Sequence, residues 1–130
     1  MRAWMKAHGY RNGAVTIDAS DWYYDARFAA WRAAHPGADP APFRQAYLDH
    51  LWDRARYYEG VAQALGRKGV KHTLLLHTNE INAAFLPDVI AMFRAKGWKV
   101  VDAREAFEDP LFRVEPDILI ESASRPGLGP

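Results

Sequence analysis

Between residues 70 and 80 polar positions bracket a short apolar run, Leu74-Leu75-Leu76, that ends in His77. A run this short, bounded by polar residues, predicts a buried strand of a parallel sheet rather than a helix. A period of two places Thr73, Leu75 and His77 on one face and Leu74, Leu76 and Thr78 on the other. The imidazole then stands at the strand's carboxyl end, where parallel α/β folds bind ligands and do chemistry. Upstream, Gly13 precedes Ala14-Val15-Thr16-Ile17-Asp18, a short β-branched strand with Asp18 at its end. Trp98 to Val101 predicts a third strand, and Ile118-Leu119-Ile120 a small terminal strand or packing segment within 115–121.

The helical pattern lies between these runs. Met1 to His8 allows two turns closed by Gly9, and the absence of a cap before Met1 reads as the tail of an element begun upstream. Phe28, Trp31 and Ala34 predict a helix over 23–34, stopped by Pro36-Gly37. Phe43, Tyr47, Leu51, Tyr58, Val61, Ala62 and Leu65 predict a long helix over about 41–65, with Asp39 as its N-cap and proline in its first turn. After a turn at Asn79 to Asn82, Pro87 fits the first turn of a helix running to about Lys96, with Val89, Ile90 and Phe93 inward and Gly97 as its cap. A short helix over 103–107 ends at Asp109-Pro110. This order implies right-handed crossovers and an α/β fold with a parallel sheet of three to four strands. The pattern predicts one domain over 1–121 and a flexible tail over 122–130.

Composition narrows the function classes. The 130 residues are 49% hydrophobic and 25% charged with a net charge of +1, which is ordinary for one globular domain and leaves no basic stripe for nucleic acid. With no cysteine, disulfides, thiolate metal sites and cysteine nucleophiles are all absent. No apolar run approaches the length of a membrane span, and Met1 to Tyr10 lacks the pattern of a signal peptide, so the chain as written carries no export address. An aromatic content of 13% suits a filled core or a sugar-stacking groove.

Asp18-Ala19-Ser20-Asp21-Trp22 and, much later, Leu75-Leu76-His77 resemble the last two of the five motifs of the NodB-homology polysaccharide deacetylases. The layout over 70–112 is similar as well: strand, Leu-x-His, Asn-rich turn, helix, Gly-Trp-Lys-Val-Val, then Ala-Phe-Glu-Asp-Pro. The resemblance covers roughly residues 4–112 and implies the last strands of a distorted (β/α) barrel, here partial. Such a barrel would leave two free sheet edges and an uncovered inner face, through which a homo-oligomer is expected.

The resemblance implies a metal-dependent hydrolase of N- or O-acetyl groups on acetylated carbohydrate. It assigns His77 the role of general acid to the leaving group and Asp21 that of the carboxylate holding the imidazole. Trp22 would be a wall of the sugar groove and Leu75 would line the acetyl pocket; Asn79 and Asn82, beside His77, would touch substrate, and Asp18 is a turn former. Core packing for Trp22 and Leu75, and helix capping for one of the asparagines, are the bland alternatives. Complete family members use a zinc-like divalent metal and are often exported. No residues here match the three motifs that supply its ligands, the base and its arginine. His72 and His77 point to opposite faces of a strand, and His8, His35 and His50 lie in separate elements, so no metal site is predicted. The chain is therefore expected to be inactive alone, the alternative being a non-catalytic carbohydrate-binding or self-associating remnant.

Overall fold

The computed structural model of the chain describes residues 1–113; the segment 115–121 and the tail 122–130 lie outside the described residues. The elements are α1 (Arg2–Ala7), β1 (Ile17–Asp18), α2 (Asp21–Ala34), α3 (Ala41–Ala64), β2 (Leu74–Leu75), α4 (Glu80–Ala95), α5 (Ala103–Ala106) and a closing 3-10 turn (Pro110–Arg113). The two strands are parallel, with Ile17 opposite Leu74 and Asp18 opposite Leu75.

The partial (β/α) barrel of three to four strands is not what forms. Among the described residues the sheet has two strands of two residues each, and helices make up most of the molecule. A ladder lengthens only where backbone groups find partners, and each strand here has a single neighbour. The flanking extended residues keep a backbone contact, the Thr73 carbonyl accepting from the Thr16 and Ile17 N–H groups at 3.2 and 2.9 Å, and side chains add to it. Thr16 Oγ1 accepts from the Thr73 N–H at 2.8 Å, and Thr73 Oγ1 donates to the Ala14 carbonyl at 2.9 Å. Residues 98–101 form no strand either. Trp98 is wedged against Trp52, Phe93 and the His72 ring, at centroid separations of 6.0, 5.7 and 5.7 Å, while Val100 is exposed.

The core sits where α2, α3 and α4 converge on β1. Ile17, Phe28, Tyr47, Leu51, Ala55, Ile81, Phe85 and Val89 are buried there, with Trp31 and Phe43 packed at its margin. Area lost to water by such side chains contributes on the order of 1.5–3 kcal/mol each and dominates the stability. The surface ion pairs Arg32–Glu80 (3.0 Å) and Arg44–Asp88 (3.7 Å) staple α4 to α2 and α3, at about 1 kcal/mol or less apiece.

Helix boundaries follow capping. The helix expected to open at Pro87 begins two turns earlier, because the Asn79 side chain accepts from the Asn82 N–H at 3.1 Å and caps it there. Asp25 of α2 reinforces that start by accepting from the Ile81 N–H at 2.9 Å. Pro87 thus lies inside α4, and its missing N–H leaves the Ala83 carbonyl without a helical donor. Gly97, with φ of 84°, turns the chain out of α4 so that the Trp98 N–H can reach the Phe93 carbonyl at 2.9 Å.

Candidate functional site

The site lies at the carboxyl ends of both strands. Between β1 and α2 the chain reverses within Ala19 and Ser20. Asp18 Oδ1 accepts from the Ser20 N–H at 2.9 Å, an Asx-type turn, and Ser20 stands in the left-handed region with φ of 48°. His50 of α3 pins the same corner, its Nε2 donating to the Ala19 carbonyl at 2.8 Å. The next residue, Asp21, opens α2 with its carboxylate turned inward and 1% exposed. An anion in the first helical turn is favoured by the helix dipole.

Asp21 and His77, 56 positions apart in the chain, meet directly. Asp21 Oδ1 accepts from His77 Nδ1 at 2.6 Å, which assigns the ring proton to that nitrogen. Asp21 Oδ2 takes three donors: the His77 backbone N–H at 2.8 Å, Asn79 Nδ2 at 3.0 Å and Asn82 Nδ2 at 2.7 Å. One carboxylate oxygen is saturated by scaffold donors, and the other is left to the imidazole. Burial pushes the Asp21 carboxyl upward, but the hydrogen bonds from His77 and Asn82 outweigh it and hold the group below its usual value. The ring itself is half in water, its side chain 51% exposed, and Nε2 has no protein partner among the described residues.

Asn82 goes further than the sequence indicated. Its amide donates to Asp21 and, at 2.9 Å, to the His77 carbonyl, while its Oδ1 accepts from the Tyr47 hydroxyl at 2.6 Å. Asn79 and Asn82, expected beside His77, thus both direct their amides to the Asp21 carboxylate. Trp22 follows Asp21 on the outer side of α2 and is 59% exposed, edge-on to Tyr23. Leu75 lies within β2, partly buried. Sequence gives Tyr47 only a core position in the long helix and His50 only a place among scattered histidines, and it gives Asp25 no role. Their polar atoms lie on helical faces whose spacing speaks only of core, and no local pattern marks them.

An open cavity of about 1130 Å³ lies elsewhere, lined by Lys6, Tyr10, Arg11, Phe107 and Phe112 among others, toward the amino end of β2. None of its lining residues belongs to the Asp21–His77 group. The paired groups lie instead around His77, whose side chain is half exposed, with the exposed Trp22 directly following Asp21 in the chain. Among the described residues no three His, Cys, Asp or Glu side chains are grouped to hold an ion, and the Asp21 oxygens and His77 Nδ1 are committed to each other and to amides. A four-coordinate ion of the zinc type does not fit this donor set. Comparison of the chain with protein-family models, curated proteins and solved structures finds no match.

Proposed function

We propose that the chain carries the proton-donating side of a carbohydrate deacetylase site, with acetylated saccharide as its ligand. The observation that carries this is the asymmetry of the His77 ring: Nδ1 is fixed by a buried carboxylate, while the side chain is half exposed and Nε2 has no partner among the described residues. In the cationic ring Nε2 bears a proton that can pass to an amine or alkoxide leaving group as the tetrahedral intermediate collapses to acetate. Asp21 stays ionised throughout, holding the ring's orientation and balancing its positive charge. Trp22 offers an apolar face on which a pyranose ring can stack. Activation of the attacking water falls to groups that these residues do not supply, so the chain by itself is expected to show no turnover.

A non-catalytic carbohydrate-binding or self-associating chain is the alternative; among the described residues β1 and β2 pair only with each other, and no three His, Cys, Asp or Glu side chains are grouped to hold an ion. Calorimetric titration with acetylated oligosaccharides tests both. Trp22→Ala should weaken binding by about tenfold or more, and His77→Ala by no more than about twofold. No binding to the unaltered chain would end both accounts.

A further inference from the structure

We propose that Tyr47 is a positioning residue for His77, acting at a distance through Asn82 and Asp21. This rests on the assignment of His77 as the site's proton donor, and it adds a residue to which that assignment gives no role.

The inference comes from counting donors and acceptors. The Asn82 amide has two N–H bonds and both are used, on Asp21 Oδ2 and on the His77 carbonyl. Its single oxygen faces the Tyr47 hydroxyl. If the amide turned over, that oxygen would oppose a carboxylate oxygen and a carbonyl oxygen at once. In the orientation found, both N–H groups and the oxygen are satisfied, and the Tyr47 proton satisfies the oxygen. Tyr47 is suited to the task. It is fully buried, its ring lies 5.8 Å from Tyr24, and Tyr24 in turn stacks on His50. Burial, with the charge of Asp21 next, pushes its phenol far above the usual range, so the hydroxyl stays a donor throughout the working pH range.

The consequence reaches the imidazole through Asp21. With Asn82 fixed, Oδ2 is held by three donors and Oδ1 has the ring Nδ1–H as its one partner among the described residues. Without the Tyr47 hydroxyl the Asn82 oxygen is buried and unpaired, the amide turns to find a donor, and the carboxylate loses a constraint that sets which oxygen meets the ring. The proton on the neutral ring then spreads between Nδ1 and Nε2.

The test uses the full chain and needs no sugar. The tautomer ratio of neutral His77, read from its ring ¹⁵N chemical shifts, should favour Nδ1–H strongly in the unaltered chain and move about fivefold toward Nε2–H in Tyr47→Phe. Phenylalanine keeps the ring in the core, and circular dichroism checks that the fold survives. Asn82→Ala should move the ratio by a similar factor, and the double variant no further than the larger single change, since the two act along one path. A Tyr47→Phe chain that melts lower but keeps the original ratio would make Tyr47 a packing residue only. Additive effects in the double variant would overturn the relay as well. Because the readout is the ring and not turnover, a failure of saccharide binding would leave this result standing, and the two ideas fail separately.

Discussion

At the amino end of β2 the His72 side chain is 5% exposed and its partner Glu59 27%; at the carboxyl end His77 is 51% exposed and its partner Asp21 1%. The same two chemical groups meet in both places with burial reversed. His72 has no nitrogen to spare: Nδ1 faces Thr16 Oγ1 at 3.0 Å, Nε2 faces Glu59 at 2.9 Å, and the ring stacks on Trp98. It ties α3, β1 and β2 together. His77 is anchored from behind and open in front. The burial of the carboxylate, more than the presence of the pair, separates a presented imidazole from a structural one.

The largest expected effect is at Asp21. Asp21→Ala strands the donors of His77, Asn79 and Asn82 at a buried point and should cost about 3–5 kcal/mol in urea denaturation. A loss under about 1 kcal/mol would mean that water already serves those donors. Next comes the direct contrast of the two rings. His72→Ala removes a buried side chain and opens space under Trp98, for about 2–3 kcal/mol, whereas His77→Ala should cost about 1 kcal/mol or less because water can replace a half-exposed ring. Equal losses would erase the distinction.

The smallest effect is on acid sensitivity. The Asp21 carboxyl titrates lower in the folded chain than its ordinary value of 3.8, so the unfolded chain binds protons first as pH falls. Its contribution is whole above that value and is lost as pH drops through the depressed one. Glu59 is lowered too, chiefly by the Gln63 side chain, against burial and with help from His72, and the same sign applies. Asp21→Asn should flatten the acid limb of the stability curve. Glu59→Gln, at the more exposed site, should flatten it less, and the reverse order would contradict the burial difference.

Sequence made His77 and Asp21 legible because each sits in a short motif at the end of a β-branched or apolar run, and the chain does bring them together. The long helix was legible for another reason: a spacing of three and four sustained from Phe43 onward leaves little else to form, and α3 ends at Ala64. The sheet was misjudged because β-propensity says that a segment can pair, not that a partner exists; Trp98 to Val101 has the composition of a strand and packs as an aromatic wedge. The start of α4 is hidden in the sequence because proline favours a first turn, while the cap that opens the helix is an asparagine eight positions earlier. The bond from Tyr47 to Asn82 leaves no trace in the sequence, since a tyrosine at a core spacing gives no hint of where its hydroxyl ends.

Pro87 divides α4 into unequal mechanical parts. The carbonyl of Ala83, robbed of its ladder donor, marks a seam between the turn that carries Asn82 and the later turns that anchor Val89 and Phe93. Fraying of the first part can therefore stop at the seam, so amide protons before it should exchange with solvent sooner than those beyond it, and the imidazole's support can loosen and re-form while the body of the molecule stays folded.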